Sequence, residues 1–332
     1  MPLNIQTLSS QWSDYELLDS GDRLKLERFA DVVVTRSEPK AWWKPARKNL
    51  WRESVARYID DDKKNARWEF RGKVNAPVLH LGKINFLTKF MDGSKHLGIF
   101  PEQKPHWDFI ADSAGRFAKK LASKSLAPRK PTLLNLFGYT GAASIVAAAS
   151  GYEVVHVDAS KPSVDWARKN QAASGMAGAP IRWIVDDASK FVAREIRRGK
   201  KYDAIILDPP AFGRGPKNEL WKLEKMLPEL LSACSRILSD TPLFSLITLY
   251  SIDASAIMAA NIMGENFAPL AKSSVSCGEL VLEAAGRLIL CRFRYGRRRF
   301  LSRRKTRGCA QDFYFKIFFT KVSARNSPVR FS

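Results

Sequence analysis

The chain has 332 residues and a formal charge of +22, from 55 Lys and Arg against 33 Asp and Glu. That length suits one large domain or, more comfortably, two, and the charge predicts a polyanionic partner such as RNA. Four cysteines without a C-x-x-C pair argue against a disulfide scaffold or a metal site. No apolar leader follows Met1 and no run is long enough to span a bilayer, so a soluble, cytoplasmic protein is expected.

Residues 1–95 read as a small β-rich domain. Tyr15–Leu18, Val32–Arg36, Ala66–Arg71 and Val78–Leu81 have the composition of short strands, and Asp92-Gly93 signals a turn between Ile84–Phe90 and His96–Phe100. Trp12, Trp42, Trp43, Trp51 and Trp68 crowd into this region. Most are expected to fill a small core, the alternative being an aromatic platform for RNA. Lys44, Arg47, Lys48, Arg52 and Arg57 are better candidates for phosphate contacts, which require charge rather than shape.

His96–Gln103 leads into a second domain, residues 96–290. Gly98 permits a bend and Pro101 stops a strand, while Glu102 and Gln103 can hydrogen-bond the amino-acid end of a cofactor. Trp107, Ile110, Ala111, Ala114 and Phe117 recur at helical spacing. His96 and His106 are expected at the surface or in a cap, not as a proton-handling pair.

The stretch Leu133–Gly141 reads as a buried strand and a glycine turn, and the alanine-rich run after it as the first helix of a doubly wound α/β sheet. Gly138 and Gly141 let the backbone pass close beneath a ligand. Gly151 closes the helix, and Tyr152–Val157 forms a second strand ending in Asp158, near the spacing at which an acid grips ribose hydroxyls. The glycine spacing is not that of a dinucleotide site, since Ser144 stands where a third glycine is needed. A nucleoside without a pyrophosphate, S-adenosylmethionine, suits it better. Asp186-Asp187-Ala188, after the strand Ile181–Val185, supplies an acceptor near an adenine amine.

Tyr202–Phe212 carries the most specific pattern. Ala204–Leu207 reads as a central strand buried on both faces, with Asp208-Pro209-Pro210 at its C-terminal end, where open α/β sheets place ligands. The two prolines hold the carboxylate and nearby carbonyls in a rigid arc, and Phe212 offers a face for a planar base. Gly213–Lys217 follows as a flexible basic loop. A helical stripe then runs from Leu220 to Leu238 with an interruption expected at Pro228, and Leu243–Tyr250 is the fifth strand.

Phe137–Gly141, Asp158, Asp187-Ala188, Asp208–Phe212 and Gly98–Gln103 together resemble the class I S-adenosylmethionine-dependent methyltransferases of the large-subunit ribosomal RNA group. The resemblance is to a shorter bacterial branch without a PUA domain and runs from about Tyr15 to Leu288. It implies a Rossmann-like sheet with helices on both faces. It implies a cofactor site of Phe100, Gln103, Phe137, Gly138, Tyr139, Thr140, Gly141, Asp158, Ala159, Asp186, Asp187, Ala188 and Asp208. Asp208, Pro209, Pro210 and Phe212 would line the acceptor pocket. Related cytosine-C5 enzymes keep a cysteine just after the fifth strand, where this chain has Leu249-Tyr250-Ser251. Transfer to a base nitrogen of RNA is therefore expected, with a protein or small-molecule acceptor as the alternative. A dinucleotide oxidoreductase and a non-catalytic RNA-binding protein are the readings from other classes.

The tail, 291–332, departs from that pattern. From Arg292 onward ten Arg and three Lys stand against Asp312 alone. It reads either as a basic arm that grips RNA or as the product of a shifted reading frame near Leu288. The aromatic run Phe313–Phe319, which lacks strand alternation and a helical face, favours the second.

Overall fold

The computed structural model describes residues 6–60, 66–250, 256–267, 274–295 and 314–318. In chain order the N-terminal strands are β1 (Gln6–Leu8), β2 (Tyr15–Gly21), β3 (Leu24–Phe29), β4 (Val32–Ser37), β5 (Ala56–Ile59), β6 (Arg67–Phe70), β7 (Val78–Leu81) and β8 (Ile84–Leu87). The alternating part is α1 (Lys104–Ser123), β9 (Thr132–Leu136), α2 (Ala142–Ala149), β10 (Glu153–Asp158), α3 (Lys161–Ala173), β11 (Ile181–Val185), α4 (Ala188–Arg197) and β12 (Ala204–Leu207). There follow β13 (Phe212–Arg214), β14 (Leu220–Lys222), α5 (Leu223–Arg236), β15 (Phe244–Thr248), α6 (Ala256–Phe267), β16 (Ser274–Ala284), β17 (Arg287–Tyr295) and β18 (Tyr314–Phe318).

The large sheet has the order β1-β16-β17-β18-β15-β12-β9-β10-β11. From β15 to β11 all pairings are parallel. Every residue of β12 and β15 is buried, the signature of central strands covered by helices on both faces. The α/β class expected from the continuous apolar runs is therefore the observed one. Local caps agree as well: Ser160 accepts the Ser163 amide with Pro162 in the first turn of α3, and Asp187 accepts the Lys190 amide at the start of α4.

The N-terminal strands form a five-stranded sheet, β2 to β6, and a separate β7–β8 hairpin. Its core, with Trp12, Tyr15, Phe29, Tyr58, Trp68 and Phe86, continues into Trp107 of α1 and Ile145 and Val146 of α2. Trp12 and Trp68 are core residues as expected; Trp42 is not, at 78% exposed. The first strand departs from the expected division, because Gln6–Leu8 pairs with Gly278–Leu280 in the large sheet.

Four expectations need correction. Ile84–Leu87 pairs with Val78–Leu81, and across Asp92-Gly93 the expected segments meet through the Met91–Ser94 bridge and one backbone bond, Lys89 amide to Leu97 carbonyl at 3.1 Å, not through a strand pair. Gly213–Lys217 is not a loose loop: β13 and β14 pair across it, and Glu219 accepts the Lys217 amide at 2.8 Å and the Lys190 ammonium at 2.6 Å. Residues Leu220–Lys222 thus belong to a strand. The helix begins at Leu223 and runs through Pro228, held by the buried Leu223, Leu227, Leu230 and Leu231. Finally, Cys291–Tyr295 continues the β16–β17 hairpin, and Tyr314–Phe318 is a strand between β17 and β15, an interior position where alternation is not required. Residues 296–313, which carry most of the expected basic arm, lie outside the described residues.

Candidate active site

Strand order reverses at β9, which has β10 on one side and β12 on the other. Connections leave in opposite directions there, so a crevice opens above the C-terminal ends of the strands. A cleft of about 1210 Å³ occupies this position. From the sheet it is lined by Phe100, Phe137, Tyr139, Asp158, Ala159, Asp186, Asp187, Ala188, Asp208 and Pro210, and from the N-terminal region by Lys25, Lys40, Trp42 and Lys95. A smaller cavity of about 60 Å³ lies beside it and shares Phe100, Phe137, Tyr139 and Asp208; it also reaches Gln103, His106, Gly138, Thr140 and Thr248. The Thr248 hydroxyl is buried without a partner among the described residues.

Asp158 closes β10 and is fixed by the glycine turn. Its Oδ2 accepts the Tyr139 amide and its Oδ1 the Ser160 amide, both at 2.8 Å. Burial pushes the carboxyl above the usual aspartate value, and these two amides only partly oppose it. Among the described residues no ion pair engages Asp158, and each oxygen retains acceptor capacity. Burial and the nearby Asp158 charge also push the Tyr139 phenol up to about 12, so it is a neutral donor. Asp187 is 8% exposed and one of its oxygens caps α4. Asp186 pairs with Arg194.

Asp208 follows β12. Gln103 Nε2 donates to its Oδ2 at 3.1 Å, and the Gln103 amide oxygen meets His106 Nδ1. Gln103 therefore reaches the Asp208 carboxylate directly. His106 is 2% exposed and so is not a surface residue; it stands in the first turn of α1 against the side chain of the N-cap residue Gln103 and lines the smaller cavity. The carbonyl arc is narrower than expected, since Trp221 Nε1 donates to the Pro210 carbonyl at 2.7 Å. Pro209 is buried, and Phe212 is 56% exposed at the start of β13; neither lines the cleft.

The two glycines serve packing within the chain. A Cβ on Gly138 would strike the His156 ring and Asn135, and one on Gly141, at φ +84°, would strike Ala167 and Trp183. Gly141 lines neither cavity. The Thr140 hydroxyl donates to the Gly98 carbonyl at 2.5 Å, tying the Gly98–Gln103 segment to the turn. Beneath the turn, Asn135 donates to Ser144, which meets His156 Nδ1 at 3.0 Å, and burial pushes His156 down to about 3, keeping it neutral. A lone polar residue within Val154-Val155-His156-Val157 is the signal that sequence reading passed over. Trp221 carried no local signal.

The family described as conserved hypothetical protein 95 matches residues 121–232. The crystal structure of a SAM-dependent methyltransferase from Agrobacterium tumefaciens is 40% identical, with a TM-score of 0.78 over 86% of this chain and 90% of that one. A methyltransferase solved in complex with SAH is 20% identical, with a TM-score of 0.62 over 78% of this chain and 67% of that one, a likeness of fold. Among curated proteins, a ribosomal RNA large subunit methyltransferase K/L from Shewanella frigidimarina is 34% identical over 159 residues, 47% of this chain. The match spans only 19% of that longer protein.

Proposed function

The chain belongs to the family of S-adenosylmethionine-dependent methyltransferases, and we propose from that premise that it methylates a base nitrogen of RNA, ribosomal RNA in particular. The observation that carries this reading is the single cleft that gathers Asp158 and Asp208 at the switch point of the sheet. Its volume exceeds the 300–1000 Å³ or so of a typical small-molecule site, leaving room for an acceptor beside a cofactor. The relatives named as ribosomal RNA methyltransferases, and the charge of +22, favour RNA as that acceptor.

The residues present fit an adenosyl ligand. Asp158, half-buried and with acceptor capacity left on both oxygens, suits a pair of ribose hydroxyls. Ala159, Asp186, Asp187 and Ala188 would border the base, and Phe100, Phe137 and Tyr139 the rest of the nucleoside. Gly138, Thr140 and Gly141 would act by shaping the turn, and Gln103 by holding Asp208. S-adenosylmethionine, when bound, supplies an electrophilic methyl group on a sulfonium. Asp208, on its proline-stiffened loop, accepts an N–H of the acceptor base and so aims the nitrogen lone pair. Pro209, Pro210 and Phe212 complete that loop. Among the described side chains the cysteines are Cys234 and Cys277; both are buried, their thiols are pushed up by that burial, and neither lines the cleft, which supports transfer without a covalent adduct to either.

Among the described residues no helix is long and apolar enough to cross a membrane; we place the protein in the cytoplasm, where its substrate is made. The test is methyl transfer from labelled S-adenosylmethionine to purified large-subunit ribosomal RNA, with nucleoside analysis of the product. Label on a base nitrogen is expected. Label in a protein or small-molecule fraction alone would sink the RNA assignment.

A further inference from the structure

The transfer chemistry uses none of the cleft wall that comes from the N-terminal strands. Trp42 stands there 78% exposed, yet its indole is held in place, because Nε1 donates to the Pro39 carbonyl at 2.7 Å. An exposed indole fixed by a hydrogen bond is a preorganised flat surface, with little side-chain freedom left to lose on binding. Lys25, Lys40 and Lys95 line the same cleft. Behind them Glu27, fully buried, takes two bonds from Arg36 at 2.6 Å each and an ion pair from Lys25 at 3.2 Å. Lys95 donates to the Ser37 carbonyl at 2.9 Å. Lys25, Arg36 and Lys95 lie about this buried carboxylate, and Glu38 and Glu102 line the cleft near them. Burial and then the Lys25 charge push the Lys95 ammonium down, with Glu38 and Glu27 opposing them.

We propose that this wall seats an unpaired nucleotide of the RNA beside the target base, its base stacked on Trp42 and its phosphate on Lys25, Lys40 and Lys95. The inference rests on the RNA reading of the site and adds to it a demand for single-stranded substrate. Stacking on an aromatic side chain tolerates any base, and the lysine group neutralises backbone charge without reading sequence.

The test compares Trp42→Ala and Trp42→Phe with the unaltered protein, on a single-stranded fragment of the methylated RNA and on its duplex. Trp42→Ala is expected to raise KM for the single strand about tenfold, with S-adenosylhomocysteine affinity and Tm unchanged, and Trp42→Phe to recover most of the loss. Lys40→Gln is expected to reduce the log–log salt slope of binding by about 0.7, as for one lost phosphate contact on a single strand. An unchanged KM in Trp42→Ala overturns the inference and leaves RNA methylation standing. A parallel fall in Tm and cofactor affinity, failure of Phe to rescue, or equal use of the duplex also overturns it. If the unaltered protein methylates no RNA, the parent reading falls and this inference with it.

Discussion

Asp203 and Asp158 lie at opposite ends of the same parallel sheet, and their surroundings are opposite too. Asp203, just before β12, is fully buried and accepts from both guanidinium nitrogens of Arg129 at 2.5 and 2.7 Å, from Ser239 at 2.6 Å, and from the Thr132 amide at 2.8 Å. Burial alone would raise its pKa; the Arg129 bonds and the other donors outweigh it and hold the carboxyl below its ordinary value. Asp158, just inside the end of β10, has two backbone amides and no ion-pair partner among the described residues, and its carboxyl is raised. A carboxylate that is fully satisfied within the chain stabilises the fold. One that is half-buried yet left short of donors is poised for donors from a ligand.

The largest expected effect is on the third carboxylate, Asp208. Asp208→Ala should slow single-turnover methyl transfer about 10³-fold while S-adenosylhomocysteine still binds; transfer at the unaltered rate would remove Asp208 from the acceptor pocket. Asp203→Ala should lower stability by roughly 3 kcal/mol, read as a drop in the urea midpoint, with cofactor affinity intact. If Asp203→Ala instead weakens cofactor binding at unchanged stability, the division between the two ends of the sheet is wrong. Asp158→Ala should do the reverse, costing roughly 1.5–3 kcal/mol of S-adenosylhomocysteine affinity by calorimetry without loss of stability, because it removes a carboxylate whose ionised form is unfavourable in the fold.

Acidification should separate the two groups, with the smallest effect of the series. The raised carboxyl of Asp158 takes up its proton first, so cofactor affinity declines as the pH falls through that value, while the fold gains slightly. The stability that Asp203 contributes is present above the unfolded carboxyl value of 3.8 and is lost only as the pH falls through its lowered folded value. Affinity and urea midpoint measured together against pH should therefore fall in that order. Loss of both in one step would mean that the two carboxyls are not in different environments.

The parallel sheet was legible because its strands are continuous apolar runs bounded by turns, and the site's acids because strand ends fix their position. The N-terminal strands were harder. Leu24–Phe29 is hard to read because Lys25 and Glu27 are buried, Glu27 paired to both Lys25 and Arg36, and so mask the alternation a strand normally shows. Gly138 and Gly141 are legible as positions without room for a Cβ, but the His156 and Trp183 rings that press on them within the chain are brought beneath them only by folding. The contact of Gln103 with Asp208 joins residues far apart in sequence, and no local pattern announces it. Trp42 belongs to a legible cluster of tryptophans, but composition does not tell which of them stays exposed or that it lines the cleft.

Asn170 on α3 has a double attachment. Its Nδ2 donates to the Thr140 carbonyl at 2.9 Å, and its Oδ1 accepts the Leu87 amide at 2.9 Å, so one side chain bridges the glycine turn and the β7–β8 hairpin. Trp166, one turn earlier on the same helix, adds a bond from Nε1 to the Leu87 carbonyl. Both polar groups of the Leu87 backbone are thus anchored to the helix that buttresses the cofactor turn. Hydrogen–deuterium exchange at Leu87 consequently becomes a remote gauge of the turn: a ligand that quiets Tyr139 and Thr140 slows solvent exchange in the N-terminal hairpin, which it never touches.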